Sequence, residues 1–241
     1  MTVFANASST RIDEIADGIY RISTPLDTVP GGFTFNQFLI EDDEPLLFHT
    51  GMRKLFPDVR AAVERILPVS RLRYIAFSHV EADECGSLNK FLAAAPLAVP
   101  VCSNIAAMVS INDLADRPPL EMTDGQTLTL GRHVVEWYDT PHLPHAWECG
   151  FLGEQTTRTL FCGDLFTQAG ANPKPVTEED ILGPSEAMRG GMDYFSHTKN
   201  ARTMIGRLAS TKPTTLACMH GSSWHGDGEK LLLALGDALD G

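Results

Sequence analysis

Cysteine is scarce in this chain and never closely paired. There are five cysteines, an odd number at wide spacing with no C-x-x-C pair: Cys85, Cys102, Cys149, Cys162 and Cys218. This pattern argues against a disulfide framework and against a zinc site made of thiolates. Cys102, Cys162 and Cys218 lie in or next to apolar runs, so we expect them to be small core residues.

Long apolar runs and an excess of positive charge are also missing. The chain has no stretch of about twenty apolar residues, and its first ten residues lack the basic start and apolar centre of a signal peptide. The formal net charge of -12 argues against nucleic acid and anionic membrane as partners, since both require a basic surface. Because neither a membrane span nor a signal peptide is predicted, we expect a cytoplasmic protein. Its 241 residues, 43% of them hydrophobic, predict a single domain over residues 1–241.

Three residues of types that bind metal ions follow one short apolar run. Residues 74–77 predict a buried strand, and His79, Glu81 and Asp83 follow it at alternate positions. In extended backbone every second side chain points the same way, so an imidazole and two carboxylates can converge on one point. Taken alone, a polar surface loop explains this stretch equally well. Buried carboxylates would repel one another without a cation, so partners elsewhere in the chain decide between the two interpretations.

Strands and helices alternate along the rest of the chain. The order strand, helix, strand over residues 46–77 predicts a βαβ unit, and Ser103 is expected to cap a helix. Residues 169–191 are rich in glycine, proline and acids, which predicts a long loop covering a site. The other predictions are strands over 15–23, 33–40, 46–49, 97–102, 126–130, 133–139, 159–162 and 214–219, a turn over 28–32, and helices over 53–67, 87–95, 103–114, 196–210 and 229–239.

The succession of sheet and helix occurs twice without a sequence repeat. It predicts an α/β (α+β) protein whose two similar halves face each other as an αβ/βα sandwich.

Three further predicted strands also end in metal-capable residues. These are His142 or His145 after 133–139, Asp164 after 159–162, and His220 after 214–219. Eight histidines scattered by chance would not lie so regularly at strand ends, so a metal site is favoured over a polar loop.

Five motifs therefore occur together. They are Thr34-Phe35-Asn36-Gln37-Phe38-Leu39-Ile40, His79-x-Glu81-x-Asp83, His145-x-x-Glu148, Asp164 and His220-Gly221-x-x-Trp224. The pattern resembles the metallo-β-lactamase fold and, within it, the oxygen-binding di-iron branch, the catalytic half of flavodiiron proteins. The resemblance covers nearly the whole chain and implies a four-layer αβ/βα metallo-β-lactamase sandwich.

The resemblance also implies a binuclear metal site. Ordinary zinc hydrolases of this fold carry a second histidine where this chain has Glu81, whereas the flavodiiron branch carries glutamate. The implied ligands are His79, Glu81 and His145 for one metal, and Asp83, Asp164 and His220 for the other. Asp164 would bridge between the two metals. Because hard oxygen donors suit iron, we expect two iron ions, with zinc or manganese as alternatives.

The chain departs from the family pattern at one position and leaves a second open. Glu84 stands where both branches usually carry a histidine, so it either accepts a hydrogen bond beside the ligands or binds a metal weakly. His142 follows Thr-Pro as in the hydrolases, while His145 has the di-iron spacing to Asp164. We favour His145 as the ligand. His142 then lies beside the metals, lines the pocket, or is a loop histidine in solvent, and Trp224 is a further candidate for a position beside the metals.

Several other aromatic and histidine side chains have no motif around them. Trp147, Trp224, Phe166 and Tyr194 either wall the site with apolar surface or belong to the core. For His49, His133 and His197 we predict structural roles, and His225 either reaches the pocket or lies on a surface turn.

Two functions fit this set of residues. The first is a protein that binds, reduces or senses dioxygen or nitric oxide. Because the resemblance leaves the flavin-binding domain of flavodiiron proteins without a counterpart here, electrons would come from a separate donor. The second is a hydrolase in which metal-bound hydroxide attacks an ester, lactone, thioester or amide, and the fold supports both. The resemblance also implies a homodimer or tetramer.

Overall fold

We describe the protein from a computed structural model, in which residues 10–26, 29 and 31–240 are described. Residues 1–9, where no signal peptide is predicted, and positions 28 and 30 of the predicted turn lie outside the described residues. No helix in the described part of the chain combines the length and the apolar composition that crossing a membrane requires.

The described strands form two seven-stranded sheets. The first contains, in spatial order, β1 (Arg11–Ala16), β2 (Ile19–Leu26), β3 (Phe33–Ile40), β4 (Leu46–Phe48), β5 (Tyr74–Ala76), β6 (Val99–Ser103) and β7 (Leu120–Met122). The second contains, in spatial order, β12 (Val176–Thr177), β14 (Ser223–His225), β13 (Thr215–Ala217), β11 (Thr159–Phe161), β10 (Gly150–Glu154), β9 (Val134–Asp139) and β8 (Thr127–Thr129). In the first sheet β1 to β4 are antiparallel and β4 to β7 are parallel, so βαβ connections place the loops after β5 and β6 at one edge.

Helices connect these strands and cover the sheets. They are α1 (Phe56–Val63), α2 (Ala82–Cys85), α3 (Leu88–Ala94), α4 (Asn104–Ala106), α5 (Asn112–Leu114), α6 (Leu182–Met192), α7 (Ala201–Ser210) and α8 (Gly228–Leu239). A π-helical turn, Ala107–Ile111, joins α4 to α5, and Val69–Arg71 is a short 3₁₀ turn. As predicted, Ser103 caps α4, since its Oγ accepts from the Ala106 amide at 3.0 Å.

The inner faces of the two sheets pack through aromatic side chains. Phe161 of β11 lies between Phe38 of β3 and Phe48 of β4, with ring centroids 5.6 and 5.1 Å away. Along β3 the next side chain, Leu39, points to the outer face, where α1 and α3 cover the sheet. Helices α7 and α8 cover the outer face of the second sheet in the same way. The four layers are therefore αβ/βα, and the predicted sandwich is confirmed.

One predicted strand proves to be part of a hairpin. Residues 15–23 span the end of β1 and most of β2, with a tight turn at Gly18 between them. Gly18 has a φ of +69°, a conformation that favours glycine, and its amide donates to Glu14 Oε1 at 3.0 Å. Strands β7 and β14, each of three residues, were not predicted.

The prediction of a loop over residues 169–191 is wrong, because the segment contains β12 and the eleven-residue helix α6. The helix was not predicted because it contains four residues of low helix propensity, Gly183, Pro184, Gly190 and Gly191. Asp180 compensates at the start of the helix, since its Oδ1 accepts from the amides of residues 182 and 183 at 2.9 and 3.1 Å.

Candidate metal centre

The loop after β5 delivers a row of polar side chains to the site. His79 leaves the strand, and Glu81 has extended backbone (φ -131°, ψ 168°), as predicted. Asp83 and Glu84 depart from the predicted alternation because they belong to α2, a single helical turn. The Thr50 amide holds this turn by donating to the Glu84 carbonyl at 2.6 Å. Extended backbone would have pointed Glu84 away, whereas the helical turn brings both carboxylates toward the site.

His79, Glu81 and His145 form what we call the first cluster. The Nε2 atoms of His79 and His145 are 3.0 Å apart. Glu81 Oε1 lies 3.3 Å from His145 Nε2 and 3.9 Å from His79 Nε2. Since N and O ligands lie about 2.1 Å from a metal ion, two ligands of one ion are roughly 3 to 3.5 Å apart. Most of the first cluster has this spacing.

Asp83, Asp164 and His220 form the second cluster. His220 Nε2 lies 3.2 Å from Asp164 Oδ1 and 3.5 Å from Asp83 Oδ2. The other oxygen of Asp164, Oδ2, faces the first cluster, 3.4 Å from His145 Nε2 and 3.6 Å from His79 Nε2. Asp164 therefore offers one oxygen to each cluster, as a carboxylate bridging two metal ions does.

Hydrogen bonds behind the clusters set the direction of two imidazoles. His79 Nδ1 is 2.9 Å from Ser78 Oγ, which in turn is 3.1 Å from His49 Nε2. His220 Nδ1 donates to the Thr34 carbonyl oxygen at 2.8 Å, which leaves the lone pair on its Nε2 directed at the site. From the sequence we predict only a structural role for His49. Its link to a candidate ligand through one hydroxyl group depends on tertiary structure and has no signal in the sequence.

Buried side chains of the first sheet hold the turn after β13. Asn36 Nδ2 donates to the carbonyls of Cys218 and Gly221, both at 2.9 Å, and Arg21 Nη2 donates to the Gly221 carbonyl at 2.8 Å. Gly221 has a φ of +89°, and its amide donates to Thr34 Oγ1 at 2.9 Å. These bonds tie the second sheet to the first at the site, which explains the polar positions within the apolar strand β3.

Opposite charges attract each other across the two clusters. Hydrogen bonds from His145 and His79 lower the pKa of Glu81 to about 2. Burial disfavours a charge on His220, but the Asp164 carboxylate outweighs burial and raises the pKa of His220. Burial also disfavours a charge on Asp164, but the surrounding imidazoles outweigh it and lower the pKa of Asp164. The site therefore favours ionised carboxylates that face positive charge.

Glu84 lies among these side chains without a hydrogen-bond partner in the described part of the chain, and its Oε2 is 4.0 Å from His79 Nε2. It is fully buried, and neither carboxylate oxygen has a hydrogen-bond partner among the described residues. Its donor atom lies within 4.8 Å of those of His79 and Asp164, and likewise of those of Asp83 and His220. Burial, followed by the charges of Asp164 and Asp83, holds its pKa well above the usual range. A buried carboxylate without a partner fits a bound cation, so the residues present fit a binuclear metal centre.

Two candidates for positions beside the metals lie elsewhere. His142 is exposed and lines a separate cavity of about 110 Å³ together with Arg189 and His197. Its backbone is left-handed (φ 64°) and turns the side chain away from the site. Trp224 of β14 donates from Nε1 to the Glu179 carbonyl at 3.0 Å and packs beside the second sheet. The order of the sheet, in which β14 is separated from β11 by β13, accounts for this displacement.

The remaining candidate aromatic residues divide between wall, surface and core. Tyr194 lines the site, and its hydroxyl donates to the Asp164 carbonyl at 3.3 Å. Trp147 is half exposed, and Phe166 is fully buried in the core. His225 lies on β14, where its Nδ1 is 3.4 Å from Thr215 Oγ1. Of these residues, only Tyr194 belongs to the wall of the site.

A cavity of about 480 Å³ lies over the two clusters. Its apolar walls come from Val29, Phe33, Phe35, Met52, Met188, Met192 and Tyr194. Phe33 stacks on the His220 ring with centroids 4.4 Å apart, and Phe35 meets the same ring edge-on at 5.3 Å. Met188 and Met192 belong to α6, so the segment predicted as a covering loop contributes to the cavity as a helix.

Known proteins resemble this chain in sequence and in fold. A family model described as ODP family beta lactamase matches residues 33–221 of the chain. This chain belongs to the ODP family. The matched region contains all of the residues of both clusters as well as Glu84. The resemblance to the metallo-β-lactamase fold and to its flavodiiron branch is thereby confirmed.

Curated relatives of this ODP-family chain match it along part of their length. Rubredoxin-oxygen oxidoreductase of Megalodesulfovibrio gigas is 27% identical over 211 residues, which are 82% of this chain and 50% of that protein. Putative diflavin flavoprotein A 1 of Thermosynechococcus vestitus is 28% identical over 195 residues, or 79% of this chain and 34% of that protein. The chain thus spans a third to a half of the length of these relatives.

Solved structures share the fold of this ODP-family chain. Rubredoxin oxygen:oxidoreductase from Desulfovibrio gigas has a TM-score of 0.78 at 20% identity, over 94% of this chain and 62% of that one. The flavodiiron protein from Giardia intestinalis also has a TM-score of 0.78, at 19% identity, over 95% of this chain and 59% of that one. At this level of identity the likeness establishes the sandwich and no more.

Proposed function

We propose that this chain is a non-haem di-iron oxidoreductase that binds or reduces dioxygen or nitric oxide, with electrons from a separate donor. The observation that carries this proposal is Asp164, whose two oxygens face two clusters of ligand atoms at 3.2 to 3.6 Å. Glu81 supports iron, because a carboxylate in place of an imidazole is a harder ligand. A relative named as an oxygen oxidoreductase supports the class of reaction.

In this proposal each cluster holds one iron ion, and Asp164 serves both. The ligands would be His79, Glu81 and His145 at one ion, and Asp83, Asp164 and His220 at the other. When bound, two ferrous ions supply electrons and open coordination positions for a diatomic ligand. The hydrogen bonds at Nδ1 of His79 and His220 keep their Nε2 atoms directed at the ions.

The walls of the cavity contribute by excluding water and by holding one donor. The rings of Phe33 and Phe35 cover His220 on two sides, which keeps this cluster dry and strengthens its electrostatic interactions. Burial raises the pKa of Tyr194 to about 12, so its hydroxyl keeps its proton and continues to donate to the Asp164 carbonyl. The apolar walls of the cavity suit a neutral diatomic ligand.

The donor of electrons is proposed to be a small redox protein or a flavin. One relative is named for rubredoxin and another as a diflavin flavoprotein. Either donor would approach the first cluster, because Glu81 is half exposed and faces the cavity.

The size of the cavity favours a second candidate, a binuclear zinc or manganese hydrolase. A volume of about 480 Å³ is in the range of cavities for organic ligands, which extends from about 300 to 1,000 Å³. An ester, lactone, thioester or amide would fit, with metal-bound hydroxide as the nucleophile.

Metal content separates the two candidates. Protein purified anaerobically from cells grown without added metal is analysed by mass spectrometry for iron, zinc and manganese. About two irons per chain, followed by consumption of dioxygen or nitric oxide with a supplied reductant, would support the oxidoreductase. Two zinc ions that iron cannot replace, together with hydrolysis of an ester or lactone, would contradict it and support the hydrolase.

A further inference from the structure

Glu84 is the buried acid that the six proposed ligands leave unexplained. Its side chain is 0% exposed, and both of its oxygens lack a hydrogen-bond partner among the described residues. Glu154, another buried acid, is hydrogen-bonded, since it accepts from the amides of Thr156 and Thr157 at 2.8 and 2.7 Å. The His79 imidazole is 4.0 Å from Glu84 Oε2, beyond hydrogen-bond distance. Because a buried carboxylate without a hydrogen bond costs several kcal/mol or more, Glu84 calls for a closer cationic partner.

The position of Glu84 identifies where that partner lies. One group of donor atoms joins Glu84 to His79 and Asp164, and a second joins it to Asp83 and His220, each within 4.8 Å. The first group includes an imidazole of the first cluster, and the second includes two side chains of the second cluster. Glu84 is therefore close to ligands of both ions, as Asp164 is.

We propose that Glu84 is a further metal ligand that lies beside Asp164 between the two ions and gives one carboxylate oxygen to each. The inference rests on the proposed binuclear centre, whichever metal fills it. Four carboxylates, those of Glu81, Asp83, Glu84 and Asp164, then balance the charge of two divalent ions, whereas three would leave one positive charge buried. The α2 turn, held through Thr50, presents Glu84 for this role.

The test uses Mn²⁺ alone as the probe, with no turnover. Metal-free wild-type protein, Glu84→Gln and Glu84→Asp are titrated with Mn²⁺, and free Mn²⁺ is followed by its electron paramagnetic resonance signal. We expect wild type to bind about two ions per chain and Glu84→Gln to bind both at least about tenfold more weakly. Glu84→Asp keeps the charge but is one methylene shorter, so we expect it to lose affinity for one ion and keep the other.

A matched control and a thermal readout exclude a merely structural effect. Glu154→Gln removes another buried acid, one that belongs to neither cluster, and should leave both Mn²⁺ affinities within about twofold of wild type. Without metal, Glu84→Gln should melt at a higher temperature than wild type, because the variant no longer buries an unpaired acid. With Mn²⁺ bound, it should melt at a lower temperature.

The possible outcomes distinguish this inference from the proposed function. Unchanged affinity for both ions in Glu84→Gln would overturn the ligand role of Glu84 and leave the binuclear centre intact. Wild-type affinity at both sites in Glu84→Asp would overturn its placement between the ions. Failure of wild type to bind Mn²⁺, Fe²⁺ or Zn²⁺ would overturn this inference and the binuclear centre together.

Discussion

The two ligand clusters differ in how far they are exposed. In the first cluster Glu81 leaves 51% of its side chain exposed, His145 leaves 20% and His79 none, whereas in the second Asp83, Asp164 and His220 leave 17%, 8% and 6%. His220 is also covered by aromatic rings and held by a turn that buried side chains fix from the opposite sheet. We call the first cluster the accessible half, because Glu81 is half exposed, and the second the rigid half, because aromatic rings and a buried turn hold His220. We expect metal exchange to occur first at the accessible half.

The largest effect on metal affinity should come from removing the Asp164 carboxylate, which the two halves share. Asp164→Asn deletes the carboxylate that faces both clusters, so we expect the affinity for both ions to fall by about 100-fold or more. Metal content of the dialysed variant, measured by mass spectrometry, checks this. Asp139→Asn, which alters an acid on β9 that accepts from the Trp137 indole, serves as the control and should keep its metal. A variant at Asp164 that retained two tightly bound ions would remove the basis for a shared ligand.

The next largest effect should be a difference in the free energy of unfolding between variants of the two halves. Without metal, His220→Ala removes a buried ring and its stacking on Phe33, and we expect a loss of about 2 kcal/mol or more in the free energy of unfolding. His145→Ala, at a more exposed position, should cost less than about 1 kcal/mol. Urea denaturation of the metal-free proteins measures both values. Equal losses would mean that the two halves do not differ in rigidity.

Metal release should follow the same division. With a chelator in excess, we expect two phases of equal amplitude, the faster from the exposed first cluster. His145→Ala should abolish the fast phase and leave the slow one. A chromogenic chelator in a stopped-flow instrument records both phases. A single phase in wild type, or loss of the slow phase in this variant, would count against unequal access.

A smaller effect should come from the bonds that fix the rigid half. Asn36→Ala removes both donor contacts to the turn after β13, which we expect to lower stability by about 2 kcal/mol and the affinity of the second cluster by about tenfold. Asn89→Ala is the control, because Asn89 also donates to a backbone carbonyl, that of Leu114, but at an exposed position. Calorimetric metal titration of both variants measures the difference. Equal behaviour of the two would show that the turn needs no such support.

Most of what made the site visible in the sequence was the regular placement of polar residues at strand ends. His79, Asp164 and His220 each follow an apolar strand, and the carboxyl ends of neighbouring strands meet in the fold. The spacing to Asp164 also favoured His145 over His142, and the structure has His145 Nε2 3.4 Å from Asp164 Oδ2. Such signals are local or nearly so, which is why the sandwich could be predicted as well.

The features that were missed depend on contacts distant in sequence. Nothing in the sequence distinguishes a helical turn at 82–85 from extended backbone, and only this turn buries Glu84 beside both clusters. Helix α6 has two internal glycines near its end and gains its stability from caps and packing. His49 reaches His79 only through Ser78, so its position became evident from tertiary structure alone.

The central claim is that two irons lie on either side of the Asp164 carboxylate. X-ray diffraction from crystals grown anaerobically, with data collected on both sides of the iron absorption edge, tests it most directly. We predict two iron peaks about 3.5 Å apart, one next to His145 and one next to His220. A single peak, or a signal at the zinc edge with none at the iron edge, would contradict the claim.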